Sequence, residues 1–235
     1  MKKLNPSVLK TSGPLMATLA TILFAPALAG AATIIDRLPY TITAPGRYEL
    51  QRDLTTNGSN GITVQAANVV IDLKGFSITG DGTANGVAVA SQTNVTVRNG
   101  MISGFYIGVV LVGVQSRAIN LQLVNNDFGV ATGGKACAVQ DCFIVGLGTN
   151  HTGVGVGLYK SSSGILVKGN QISEFMTGIN DFSADGFHAF TGNYIANGEY
   201  GIVASSNDLF QGNVVTNCAV PFSGGQAVGT ENGGN

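Results

Sequence analysis

The stretch V-K-G-N-Q-I, Val167 to Ile172, returns as F-T-G-N-Y-I at Phe190 to Ile195 and as F-Q-G-N-V-V at Phe210 to Val215. Aligned on its last apolar residue, the pattern runs through Ile78, Ile102, Val124, Ile144, Ile172, Ile195 and Val215, in steps of 24, 22, 20, 28, 23 and 20 residues. A second marker, a glycine followed by alternating apolar residues, keeps step with it. Gly61, Gly86, Gly108, Gly129, Gly153, Gly178 and Gly201 lie 25, 22, 21, 24, 25 and 23 residues apart. Two markers with one period over seven units define a repeat architecture.

Each unit holds two or three strands of a few residues between Gly, Asn, Ser and Asp corners. Glycine at this density, 34 in 235 residues, opposes helical repeats, since each costs up to about 1 kcal/mol inside a helix. A unit of this size cannot bury its own apolar residues. Stacking the units roughly 4.8 Å apart places Ile over Ile and pairs every strand with its neighbours. Gly and Asn suit the left-handed backbone of a sharp bend, and stacked Asn amides can hydrogen-bond from coil to coil. The expected fold is all-β: a single-stranded right-handed parallel β-helix of seven to eight coils. On these residues the chain resembles the pectate-lyase-like parallel β-helix family, over residues 55–222. The run Y-T-I-T-A-P-G-R-Y-E-L resembles the entry cap of secreted bacterial members, which puts an N-terminal cap at 32–54 and a Gly-rich tail at 223–235.

The first 31 residues read differently. Lys2, Lys3 and Lys10 precede an apolar run, and A-L-A and A-G-A offer small-residue cleavage sites, the pattern of a cleavable secretory signal peptide. The run is short and interrupted by Pro14 and Pro26, unlike the roughly 20 apolar residues of a spanning helix. A secreted or periplasmic protein with no membrane span is therefore expected. Losing three lysines leaves 9 basic against 13 acidic residues, a net −4, which disfavours nucleic acid as a partner. Hydrophobic residues at 44%, in strict order, argue against disorder. Three cysteines (Cys137, Cys142 and Cys218) allow at most one disulfide, and without C-x-x-C or clustered His they indicate no metal site.

In stacked coils, alternate residues form outward columns. One is expected to read Thr63, Ala88, Val110, Ala131, Gly155, Asn180, Val203, and another Asp72, Thr96, Ala118, Ala138, Leu166, Ala189, Leu209. Both are small and largely apolar, the composition of a covered flank or of a surface for homo-oligomer formation. The neighbouring column, Lys74, Arg98, Asn120, Gln140, Lys168, Thr191, Gln211, is polar. Its cations could meet uronate carboxylates or serve as solvated side chains. Tyr106, Tyr159 and Tyr200 near strand ends could stack on sugar rings or cover coil edges.

Family lyases imply clustered aspartates for Ca²⁺ with an Arg or Lys base, and hydrolase relatives imply carboxylate pairs with a His. Neither pattern is present as a motif, so no cofactor is expected; Ca²⁺ stays open as an alternative, without a clear ligand cluster. The catalytic candidates are Asp181, Asp185, His188 and Asp208, with His188 in register with Asp208 one coil later. Glu174 and Glu199 on successive coils could form a carboxylate pair. His151 lies in the longest insertion. The leading expectation is an extracellular polysaccharide-engaging module. A polysaccharide lyase or glycoside hydrolase, and a structural or adhesive self-associating protein, are the alternatives.

Overall fold

The computed structural model describes residues 31–148, 152–159, 161–183, 186–229 and 232–234. Residues 1–30, which hold nearly all of the expected signal peptide, and His151 and Asp185 lie outside the described residues. Every strand pairing given for the chain is parallel, and the strands form a β-solenoid of about eight turns with no helix among the described residues. None of these residues belongs to a helix long and apolar enough to cross a membrane.

Each turn contributes to three faces. On face 1, Tyr48, Ile71, Val97, Ala118, Val139, Val167, Phe190 and Phe210 stack in one inward column. On face 2, Leu54, Ile78, Ile102, Leu123, Ile144, Ile172, Ile195 and Val215 do the same. Face 3 carries two inward columns, Ile62-Val87-Val109-Val130-Val156-Ile179-Ile202 and Val64-Val89-Leu111-Thr132-Leu158-Asp181. Nearly all these side chains are buried in one continuous core. A fully buried aliphatic contributes roughly 1.5–3 kcal/mol, and here its neighbours are the equivalent side chains one coil above and below.

The two sequence markers meet physically. A Cβ placed on Gly178 would stand 2.4 Å from Ile195 Cγ2 and 2.8 Å from the Gly201 carbonyl oxygen. Gly86, Gly129 and Gly155 meet Ile102, Ile144 and Ile172 Cγ2 at 2.3–2.4 Å in the same way. The glycine column is a bare strip against which the face-2 isoleucines of the next turn pack.

The Gly-Asn corner divides its labour. Gly169, Gly192 and Gly212 take the left-handed backbone, with φ of 67°, 60° and 64°. The asparagines turn inward: Asn170 and Asn193 Nδ2 donate to the next coil's Oδ1, on Asn193 and Asn213, at 3.0 and 2.9 Å. They also donate back to the Val139 and Val167 carbonyls. This internal ladder satisfies the corner backbone where it is cut off from water.

Several expected registers are shifted. Leu123, not Val124, faces inward, which corrects the steps on face 2 to 24, 21, 21, 28, 23 and 20. Both residues are apolar, so composition could not separate the two registers, yet a slip of one exchanges the faces. Gly155, not Gly153, belongs to the glycine column, and Gly157 is the outward partner of Ala131. The G-V-G-V run fits either alignment, and the long insertion before it absorbs the difference. Asp72 pairs with Arg98, Arg117 replaces Ala118 in its outward column, and Ala118 points inward. Lys74 and Asn120 are corner residues, with φ of 56° and 50°, and not members of the polar column. The first of those corners is longer by two residues, because Ile71 and Ile78 are seven apart where Val97 and Ile102 are five apart.

Candidate functional site

Asp181, His188 and Asp208 come from three different chain segments and converge, with ligating atoms within 4.8 Å of one another. Each stands where the repeat elsewhere places an aliphatic or small residue. Asp181 ends the inward column that begins at Val64. His188 and Asp208 immediately precede Ala189 and Leu209 on face 1, the position held by Val95, Ser116, Cys137 and Ile165 in earlier coils. They are therefore inside the solenoid: His188 is 1% exposed and Asp208 0%. Neither the His188 nor the Asp181 side chain reaches solvent.

The hydrogen bonds close this cluster. His188 Nδ1 accepts the Ile165 N–H at 3.0 Å, and Nε2 faces Ser183 Oγ at 3.1 Å, Ser162 Oγ at 3.4 Å and Asp181 Oδ1 at 3.7 Å. Asp208 accepts the His188 N–H at 2.8 Å and the Ser205 N–H at 2.9 Å. Asp181 accepts the Ser183 N–H at 2.8 Å and the Ser205 hydroxyl. Gly186 seals the imidazole, since a Cβ there would fall 1.8 Å from Nε2.

Burial pushes the Asp208 carboxyl up to about 6, helped by the neighbouring Asp181. Burial also resists ionisation of Asp181, but hydrogen bonds from Ser205, Ser183 and Asp208 outweigh it and hold Asp181 below the ordinary value. His188 is lowered by burial, against the pull of the Asp181 carboxylate. Of the two carboxyls Asp208 is therefore the one that takes up a proton first as pH falls, and His188 favours its neutral form.

A neutral imidazole whose Nδ1 accepts a backbone N–H carries its proton on Nε2. With that proton in place, Nε2 neither ligates a cation nor serves as a base. The sequence shows no ligand cluster; the fold assembles one and then occupies it with internal donors. Strand alternation carries Asp181 inward, because Ile179 in and Asn180 out require Asp181 in.

The other candidates separate. Glu174 is stacked not on Glu199 but on Asn197, whose Nδ2 donates to Glu174 Oε1 at 2.8 Å. Lys74 pairs with Glu49 at 3.8 Å, and Arg98 pairs with Asp72 at 3.0 Å. Lys168 is exposed on face 1 without an ion pair among the described residues. Tyr106 and Tyr159 lie at opposite ends of face 3, edge-to-face with Phe128 and stacked on Phe182 respectively. Tyr200 is half-buried and paired with Thr177 and Val220. These tyrosines share no groove with the cations of face 1.

An open trough lies along the corner between faces 1 and 2. One part of it holds about 380 Å³ between Gly75, Asn99, Gly100, Met101, Asn120, Leu121, Gln122, Asp141 and Phe143. A further 340 Å³ cleft continues over Lys168, Gly169, Thr191, Gly192 and Gln211. The floor follows the left-handed corner residues, Asn99, Asn120, Asp141, Gly169 and Gly192. Asn120 Nδ2 donates to Asn99 Oδ1 at 3.0 Å, and Asn99 Nδ2 to Asp72 Oδ1 at 3.2 Å, so the amides form an ordered outer ladder. Met101, Gln122, Phe143, Gln171 and Tyr194 form one outward column of face 2, of which the first three line the 380 Å³ part and the last two continue the column beyond it. Phe143 and Tyr194 are 46% and 48% exposed. Of the sequence candidates only Lys168 lines this trough. The wall was findable, because outward face-2 residues sit one position before each inward Ile, but the sequence reading did not collect that column. No protein-family model and no curated protein matches this chain.

Proposed function

We propose that the protein is an extracellular, non-catalytic module that holds a polysaccharide chain along the trough between faces 1 and 2. The observation that carries this reading is the single outward column bearing the exposed rings of Phe143 and Tyr194 beside the Asn99–Asn120 amide ladder. Rings present a flat apolar face to a sugar, and amides offer a donor and an acceptor to its hydroxyls. The trough runs with the solenoid axis, so a linear polymer meets equivalent groups about every 4.8 Å. The secretory leader read from the sequence supports an extracytoplasmic setting.

Cleavage of the polymer has less support, because Asp181, His188 and Asp208 are sealed from solvent and hydrogen-bonded internally. The test is affinity electrophoresis on a polysaccharide panel, with product analysis by reducing-end assay and ultraviolet absorbance. Retardation without product release is the expected result. Product release abolished by His188→Asn would replace this reading with an enzymatic one.

Self-association is the second reading, favoured by Val112, Val114, Phe182 and Phe187, which are 42%, 41%, 45% and 69% exposed. Exposed apolar side chains meet another surface where they adjoin one another. Sedimentation showing only monomer at high protein concentration would remove it.

A further inference from the structure

We infer that the trough takes an uncharged glycan, a polymer of neutral sugars, and rejects polyuronates. This deepens the polysaccharide reading and rests on it. The charges along the trough carry the inference. On the face-1 edge the cations nearest the Asn99 end are already engaged: Arg98 by Asp72 at 3.0 Å, and Arg47 and Lys74 both by Glu49, at 2.7 and 3.8 Å. Three cations share two carboxylates, so an excess of one positive charge remains, but an incoming carboxylate must compete with Asp72 and Glu49 for each of them.

Within the trough, Asp141 stands on the floor. Its Oδ1 lies 2.5 Å from where a Cβ on Gly169 would be, so the carboxylate lies over the next corner, in the path of an axial chain. A uronate lying there would meet a like charge, which is a device for rejection as much as a lack of attraction. Lys168, one coil further on, balances Asp141 in count and leaves the lining without net charge.

What remains is neutral chemistry. Asn120 and Gln122 bond hydroxyls in either direction, and Phe143 and Tyr194 sit two coils apart in one column, about 10 Å at 4.8 Å per coil. A neutral chain stacked on both rings, with its hydroxyls on the amides, brings no carboxylate up against Asp141.

The experiment is isothermal titration and affinity electrophoresis of the full mature chain with hydroxyethyl cellulose, xylan, laminarin and polygalacturonate, each at about 20 and 300 mM NaCl. The salt range spans strong and weak screening of exposed charges. At least one neutral polymer is expected to bind, with Kd changing less than about twofold across that range. Polygalacturonate is expected to cause no retardation. Phe143→Ala and Gln122→Ala, both on outward side chains, are each expected to weaken neutral binding about tenfold or more. Asp141→Asn is expected to admit polygalacturonate.

Tight polygalacturonate binding that falls tenfold with salt and with Lys168→Gln would overturn the neutral-glycan inference while the polysaccharide reading stood. Neutral binding indifferent to Phe143→Ala and Gln122→Ala would overturn the assignment to this trough. No binding to any polymer would overturn both.

Discussion

His188 Nδ1 accepts the backbone N–H of Ile165 across one coil step, at 3.0 Å, inside the solenoid. The bond makes the imidazole a corner acceptor, the role that Ser116 Oγ plays for the Val95 N–H at 3.3 Å and Asp208 for the His188 N–H at 2.8 Å. A buried N–H without an acceptor costs about 1–3 kcal/mol.

His188→Ala removes that acceptor and leaves a void, so a loss of about 2–4 kcal/mol is expected. His188→Asn places Oδ1 near the old Nδ1 and should retain at least half of the lost stability. Urea midpoints of the two variants decide it: equal losses would show that the Ile165 bond contributes nothing.

Two buried groups push stability in opposite directions with pH. His188 is lowered in the fold, so its contribution is full above the ordinary value near 6.5 and is lost as pH falls below it. Asp208 is raised to about 6, so the fold favours its protonated form and loses stability as pH rises from about 4 through 6. Asp181, held low, adds stability that disappears only below the usual carboxylate range. In Asp208→Asn the amide still accepts the His188 N–H and donates to Asp181, while the Ser205 N–H loses its acceptor. The midpoint of this variant relative to the parent should therefore climb between pH 4 and pH 7. A difference that stays flat would mean that Asp208 does not titrate in that window.

The glycine strip sets how closely faces 2 and 3 approach. Gly178→Ala drives a methyl group against Ile195 Cγ2 and the Gly201 carbonyl, and a loss of about 2–3 kcal/mol is expected. Gly133→Ala, whose new Cβ would meet nothing nearer than Val112 Cγ2 at 3.8 Å, should stay within about 0.5 kcal/mol. Comparable losses at both sites would refute the strip as a packing device.

All three cysteines are free and buried. Burial raises each thiol, Cys142 to about 11, so little thiolate exists at pH 8 and little of it is accessible. A thiol reagent at pH 8 should titrate no cysteine within minutes in the native protein and three after denaturation. Rapid native labelling of Cys142 would contradict the burial.

The sequence by itself determined the period, the parallel stacking, the inward columns and the Gly-Asn corners. Each is a local demand repeated often enough to leave only one way of hiding the apolar residues: every coil on its neighbour. It also put His188 in register with Asp208. What it did not reveal was which way a side chain faces when two registers suit the same composition. Val124 and Leu123 are interchangeable in composition, and G-V-G-V aligns through either glycine, so only the hydrogen-bonded pairing between coils selected Leu123 and Gly155. The same gap hid the fate of the polar cluster. Asp181, His188 and Asp208 read as corner chemistry in one dimension. In three, alternation turns them inward, and the backbone N–H groups and serines around them take up their acceptors. The trough likewise exists only when successive left-handed corners are stacked, because a groove is a relation between coils and no single coil contains it.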